Sequence, residues 1–525
     1  MAEQKKRENW GSRLGIIMAV AGSALGLGNF LRFPVQAATN GGGAFMIPYF
    51  ISLLLLGIPL MWIEWTAGRF GGGFGHGTAP GIFHSMWQKN RFIKYFGIIG
   101  IFGPIVIFIY YTYIESWLLG YAFYSLTGAL SQVSGQEGMQ SFLSGYQGVE
   151  SNGFFSSIGP AYLFFLITFT ANILVIYHGI SGGIEKLCRW AMPVLLVFGI
   201  VLAVRVLTLG TPDPLKPEWS LSNGLGFLWN PDFSALKDAR VWLAAAGQIF
   251  FTLSVGIGVI LTYASYLKKH DDVALSGLTS AMTNEFAEVI LGGSIIIPAA
   301  FVFFGPQNIV ALAQSGSFNL GFVTMPLIFQ QLSLGALFSF MWFMLLFLAG
   351  ITSSISLAQP AVAFLEDEFN ITKREAVFIF GAVTFIFCQP AIFLLSRGVV
   401  DELDFWGGTF CLVLFATVET ILFSWVFGIE KAWEEIHRGA DIRIPKIYKY
   451  IIKYVTPVFL IAILGSWLWQ QGIPTILMQG VSAANRPFVL MTRLMLVGIL
   501  LLLGVLVNIG WRHRNRKQQA QEAAV

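Results

Sequence analysis

The feature that most limits this chain is a succession of long apolar runs with almost no charge inside them. A bilayer's hydrocarbon core takes roughly 20 apolar helical residues to cross. The sequence offers about twelve such runs, near 13–37, 42–68, 93–125, 158–180, 188–209, 240–267, 275–304, 334–364, 375–395, 400–426, 448–472 and 488–511. Several exceed the minimum and are expected to tilt or protrude. Only 11% of the 525 residues are charged and 55% are hydrophobic, against about a quarter charged in soluble domains. A water-soluble globular fold is excluded. Backbone groups in lipid must find partners within their own segment, so the fold class is an all-α polytopic membrane protein with twelve transmembrane helices. The 48 Phe and 16 Trp suit lipid-facing surfaces and interfacial belts.

The placement of basic residues orients the chain. Lys5, Lys6, Arg7 and Arg13 precede or open the first run. Further pairs and clusters stand at Arg69, Lys89, Arg91 and Lys94; Lys186 and Arg189; Lys268 and Lys269; Lys373 and Arg374; across 431–453; and at Arg512, Arg514, Arg516 and Lys517. The intervening connections 126–157 and 305–333 contain no Lys or Arg. The positive-inside rule then makes both termini cytoplasmic and the number of crossings even. The protein is expected to be multi-pass in a cell inner membrane or plasma membrane. A basic start leading into Leu14–Ala21 resembles a leader, but the apolar run continues past it, so cleavage is not expected. Cys188, Cys388 and Cys411 show neither metal spacing nor a disulfide framework. The Ser/Gly-rich 126–157 reads as a mobile loop, and 210–239, with Pro212, Pro214 and Pro217, as an irregular outer connection. The uncharged 305–333, opening Gly305-Pro306-Gln307, reads as a re-entrant cap.

The chain reads as one transmembrane domain, 1–525, with a weak internal repeat. Glycines interrupt the first segment at Gly22-Ser-Ala-Leu-Gly-Leu-Gly-Asn29 and the sixth at Thr252-Leu-Ser-Val-Gly-Ile-Gly258. Each break opens a five-helix unit, over 10–210 and 239–426, with two further helices in 447–511. An odd number of crossings per unit inverts the second relative to the first. Interrupted segments at matching positions point to a midplane site in secondary transporters. Freed carbonyls favour cations and half-helix N-termini favour a carboxylate. Close packing of small residues, as Gly22-xxx-Gly26 suggests, is the competing reading for either break alone.

Neutral oxygen donors accompany the breaks: Asn29, Thr252, Asn284 and the Thr352-Ser353-Ser354 cluster. Hard cations take such ligands, although intramembrane hydroxyls also serve interhelical hydrogen bonds. Charges inside the runs are costly and mark function. Arg32, Asp404, Glu288, Glu64 and Glu115 are the candidates; interfacial placement or a hydrogen-bonded structural carboxyl is the alternative for them. The six histidines never pair at ligand spacing. No nucleophile elbow, phosphate loop or catalytic carboxylate pair is present, so an enzyme is not expected.

The run Gly22-Ser-Ala-Leu-Gly-Leu-Gly-Asn-Phe-Leu-Arg-Phe-Pro34, with Asn40-Gly-Gly-Gly-Ala-Phe45, resembles the signature of the neurotransmitter:sodium symporter family. So do Gly247-Gln-Ile-Phe-Phe-Thr-Leu-Ser254, Ile351-Thr-Ser-Ser354 and Asp404-Phe-Trp406. The similarity extends over nearly the whole chain and is greatest to the bacterial leucine-transporting members. The resemblance implies a five-plus-five inverted repeat with broken helices 1 and 6, working by alternating access, and two sodium ions. One would be held by the Ala24 and Thr252 carbonyls, the side chains of Asn29, Thr252 and Asn284, and the substrate carboxylate. The other would use carbonyls of Gly22, Leu25 and Ala349 with the hydroxyls of Thr352 and Ser353.

By the same resemblance, the substrate carboxylate would meet the amides of Leu27 and Gly28 and the Tyr111 hydroxyl. Its ammonium would meet carbonyls of Ala24, Phe251 and Thr252, and Ser254. Ile107, Tyr111, Phe251, Ser254, Ile257, Ser353 and Leu357 would line the side-chain pocket. Arg32 and Asp404 would form an outer gate, and Arg7, Trp10, Ser265, Tyr266, Gln359 and Asp367 an inner one. Gly26 stands where monoamine-carrying members have an aspartate, which favours a substrate bringing its own carboxylate. Glu288 stands where chloride-dependent members have a small polar residue, so no chloride requirement is expected and proton counter-movement is left open. Ile257 replaces a phenylalanine and Ile107 a valine, leaving leucine, methionine, alanine and aromatic substrates all admissible. Ser23 replaces an asparagine, a change the sequence does not interpret. The expected partners are a neutral amino acid and the lipid bilayer, without nucleic acid; a homodimer is allowed for.

Overall fold

A computed structural model describes residues 8–522, so the expected gate residue Arg7 lies outside the described residues. The described residues are helical and connected by loops, with no strand among them. The apolar runs form helices that cross as the sequence expects. The first is bent by 47° between α1 (Arg13–Ala24) and α2 (Gly28–Thr39). There follow α3 (Met46–Gly72), α4 (Ile93–Leu126), α5 (Gly159–Tyr177) and α6 (Ile180–Leu207). The sixth segment is split into α7 (Ala239–Leu253) and α8 (Val259–Ala264). The remainder are α9 (Ala274–Phe304), α10 (Gly335–Phe369), α11 (Lys373–Phe393), α12 (Val399–Val426), α13 (Ile447–Ile476) and α14 (Arg486–Glu522). Ten of these are individually long and apolar enough to span. The bent first segment makes eleven, and with the shorter, split sixth segment counted as one crossing the described residues hold twelve.

Helix ends are set by local chemistry. The Ser12 hydroxyl accepts from Gly15 N at 2.9 Å and starts α1. Thr372 and Glu375 form a reciprocal capping box at the start of α11. In the core, α4 packs along α10 and α5. A buried polar link ties these three together: Asn172 donates to both Glu115 oxygens at 3.2 Å, and Ser354 Oγ donates to Asn172 Oδ1 at 2.6 Å. Glu115 is thus part of an interhelical tie to which Ser354 contributes.

Two connections are more structured than their composition implied, and a third is ordered as well. In 126–157, Gly135–Tyr146 is a helix whose Phe142 and Tyr146 pack against Tyr121, Tyr124 and Phe155. Aromatic burial offsets the ordering entropy that Ser and Gly alone would leave uncompensated. In 210–239, Leu221–Trp229 is a helix capped by Ser220, packed on α9 beyond the three prolines. The 305–333 segment folds back as short helices, burying Phe322, Met325 and Phe329, as expected of a re-entrant cap.

Candidate functional site

The site begins with what the two breaks require of the backbone. Helix α1 stops at Ala24, Leu25 turns to an extended conformation, and the chain resumes helically at Gly28. Asn29 Oδ1 accepts from Gly26 N at 2.9 Å, so one side chain caps the second half-helix. The next turn is widened, with Phe33 N bonding to Gly28 O; such π-type turns recur at functional positions. In the second break, Gly256 and Gly258 have φ of +79° and +81°. A Cβ on Gly256 would come within 2.6 Å of Leu412 O, and one on Gly258 within 2.5 Å of Gly100 O. Only glycine meets both conditions. Glu64 of α3 accepts from Gly256 N, so this intramembrane carboxyl satisfies an amide the break sets free.

Asn29, Thr252, Asn284 and Glu288 converge between the breaks and α9, all essentially inaccessible to solvent. Asn29 Nδ2 donates to Thr252 Oγ1 at 2.9 Å, Asn284 Oδ1 at 2.8 Å and Glu288 Oε2 at 2.9 Å. Asn284 Oδ1 stands 3.3 Å from Ala24 O and 3.2 Å from Thr252 O; turned over, its amide would donate to both. Three oxygens facing one another need either a donor or a cation between them. The set therefore fits sodium by its chemistry: neutral, hard oxygen ligands.

The second expected set also assembles. Ser353 Oγ lies 3.3 Å from Gly22 O, 3.1 Å from Ser23 O and 3.3 Å from Leu25 O. Thr352 Oγ1 lies 3.1 Å from Ala349 O. Carbonyls of α1 and hydroxyls of α10 thus meet, again a donor set suited to a hard monovalent cation.

Beside both sets lies a cavity of about 70 Å³. Of the expected substrate residues, Ala24, Leu27, Gly28, Ile107, Tyr111, Phe251, Ser254, Ile257, Ser353 and Leu357 line it, and Thr252 does not. Tyr111 Oη accepts from Leu27 N at 3.3 Å. The expected gates are arranged unequally. Arg32 stacks over the Phe251 ring at 4.3 Å, while Asp404 accepts from Tyr110 Oη at 2.5 Å; the two form no ion pair with each other. On the other side, Trp10 Nε1 donates to Tyr263 O at 2.9 Å, and Gln359 Nε2 to Tyr266 Oη at 3.0 Å. Ser265 and Tyr266 are buried, and Asp367 lies near the end of α10.

Several participants escaped the sequence reading. Tyr49 Oη donates to Glu285 at 2.6 Å and Glu288 at 2.9 Å, and Gln248 Nε2 donates to Glu288 at 3.0 Å. Thr252 Oγ1 also donates to Glu288. Ser23, Tyr110, Ser356, Gly408 and Leu412 complete the cavity wall. Close to Trp10 in the chain, Gly11 N and Ser12 Oγ donate to Glu185 at 2.7 and 2.9 Å, and Glu8 pairs with Lys373. Gln248 lies within the quoted motif and Tyr49 on an apolar run, but nothing local marked either as a partner of Glu288.

Two broken helices enclosing oxygen clusters and a cavity inside a membrane bundle define a secondary transporter. A family model described as the sodium:neurotransmitter symporter family matches residues 7–142 and 139–479. The chain belongs to that family. It is 32% identical over 465 residues to an uncharacterized sodium-dependent transporter of Methanocaldococcus jannaschii, covering 87% of this chain and 90% of the relative. It is 31% identical over 424 residues to the uncharacterized sodium-dependent transporter YhdH of Bacillus subtilis, covering 80% and 86% respectively. Its fold is similar to that of MhsT in a crystal structure with L-phenylalanine. There the TM-score is 0.74 and the identity 30%, over 88% of this chain and 100% of that one. The protein is a multi-pass, sodium-dependent transporter with the broken-helix, inverted-repeat fold.

Proposed function

We propose that the protein is a sodium-coupled symporter of neutral, mainly hydrophobic α-amino acids, working by alternating access. The observation that carries this reading is the adjacency of the Asn29–Thr252–Asn284 oxygen cluster to a largely apolar cavity with Gly26 in its wall. A substrate carboxylate at the Leu27 and Gly28 amides and Tyr111 would complete the ligands of a first sodium ion. Ion and substrate then each raise the other's affinity, which is coupling in the thermodynamic sense. The second ion would bind at Gly22, Leu25, Ala349, Thr352 and Ser353 and tie the first segment to α10. The phenylalanine in the MhsT crystal supports an amino-acid substrate.

Glu288, hydrogen-bonded by Asn29, Tyr49, Gln248 and Thr252, supplies the negative charge beside the first ion, and no chloride is required. Arg32 and Asp404 close the outer path, and the Trp10, Ser265, Tyr266, Gln359 and Asp367 region the inner one. Both termini face the cytoplasm. The chain forms one domain with repeats at 10–210 and 239–426 and an addition at 447–511. Calorimetric titration of the purified protein with a panel of α-amino acids tests the reading. Binding of at least one apolar amino acid in sodium, and none in potassium, is expected. Equal binding in both salts contradicts the coupling.

A further inference from the structure

The cavity wall is apolar through Ile107, Ile257, Leu357 and Leu412, and among its hydroxyl-bearing residues Ser23 and Ser356 stand as a hydrogen-bonded pair. Both are buried, at 3% and 1% exposure. Ser356 Oγ donates to Ser353 O at 2.6 Å, and a 2.7 Å hydrogen bond joins Ser356 Oγ to Ser23 Oγ. A serine hydroxyl has one proton and two acceptor lone pairs. With the Ser356 proton on Ser353 O, the proton shared by the two serines comes from Ser23. Neither hydroxyl then has a proton to offer a ligand, whereas Ser23 Oγ keeps its lone pairs. The Ser23 backbone is held firmly, because Ser254 Oγ and Ser353 Oγ donate to its carbonyl at 2.9 and 3.1 Å. The result is a fixed spot in the cavity wall that accepts hydrogen bonds and does not donate them.

We propose that the Ser23–Ser356 pair is a selectivity element favouring, among neutral α-amino acids, those whose side chain ends in N–H or O–H: an indole, a phenol or an aliphatic alcohol. The proposal rests on the transport reading above and names the substrate chemistry of the same cavity. Purely apolar side chains are still admitted, since they leave the serine pair as well bonded as before. A donor-bearing side chain gains one hydrogen bond. The discrimination is therefore modest, about 5- to 10-fold, and far below that of sites whose buried polar groups are left unpaired by the wrong ligand. Side chains that only accept, such as carboxylates, are opposed by the lone pairs.

The test uses the full chain in liposomes under an inward sodium gradient, comparing inhibition constants within shape-matched pairs. These are threonine with valine, tyrosine with phenylalanine, and tryptophan with 3-benzothienylalanine, in which sulfur replaces the indole N–H. At least one donor-bearing member is expected to be favoured by about 5- to 10-fold. That ratio should collapse towards one in S23A, whatever the variant's absolute affinities. S356A frees the Ser23 proton, so that hydroxyl can donate as well as accept. If S23A does not fold, O-methylserine, which only accepts, should gain about 5- to 10-fold over norvaline in S356A relative to the native protein, and no gain overturns the proposal. Ratios near one for all three pairs in the native protein overturn the proposal, as does a preference that survives S23A. Sodium-driven uptake with no such preference refutes the selectivity element alone. Absence of sodium-driven uptake of every amino acid refutes the transport reading, and this inference with it.

Discussion

Replacing Gly26 with alanine adds one methyl group at the point where substrate chemistry and helix break meet. A Cβ on Gly26 would stand 3.2 Å from both Ser353 Oγ and Tyr111 Oη, a few tenths of an ångström inside ordinary contact. Its φ is not in the left-handed region, so alanine brings no backbone strain. Both close neighbours are side-chain ends that can yield, so the fold should survive. The methyl group instead intrudes between the break and Tyr111, where the substrate carboxylate is proposed to reach the Leu27 and Gly28 amides. Overpacking of this kind costs about 1–3 kcal/mol, which is roughly 5- to 150-fold in affinity. Equilibrium binding of the tightest amino acid in saturating sodium gives the number, with the thermal unfolding midpoint as a control for folding. A variant that melts normally and binds within about twofold of the native protein would refute the placement of the carboxylate.

Other perturbations separate the remaining parts of the account. Thr352→Ala removes a proposed ligand of the second ion and should raise the sodium concentration for half-maximal uptake by about tenfold, the equivalent of one charge-assisted contact; an unchanged sodium curve contradicts that site. Native uptake should be indifferent to replacing chloride by gluconate, whereas Glu288→Ser should make uptake chloride-stimulated, and chloride dependence of the native protein would sink the role given to Glu288. Arg493 bonds both oxygens of Glu402 at 2.9 Å, and the Glu402 side chain is only 7% exposed. Arg493→Ala leaves that carboxylate with Trp406 as its remaining partner and should destabilise by about 3 kcal/mol, lowering the unfolding midpoint by roughly 3 °C in a chain of this length. An unshifted midpoint shows that the pair contributes nothing.

What was legible in the sequence was what short stretches of chain can encode. Gly256 and Gly258 announced the second break because the backbone there adopts positive φ and touches its neighbours, and Asn29 stood beside the first break it caps. The twelve apolar runs gave the helices for the same reason: crossing hydrocarbon is a local requirement. Contacts made between distant segments were opaque. Tyr49 and Glu288 are 239 residues apart, and only packing of α3 against α9 brings them together. Ser23 carried no signal until Ser356, on another helix, supplied its partner. Arg32 and Asp404 were expected to meet, yet Phe251 and Tyr110 engage them first, since an aromatic face and a phenol lie nearer each than its opposite charge. The aromatic anchoring of 126–157 was hidden because Phe142 and Tyr146 find their partners on α4.

The most direct test of the central claim is accumulation of labelled amino acid by liposomes containing the purified protein. Uphill uptake of at least one neutral apolar amino acid is expected when sodium is higher outside, with its collapse when sodium is equalised or replaced by potassium. Uptake that proceeds equally without a sodium gradient, or no accumulation of any amino acid across the panel, would contradict it.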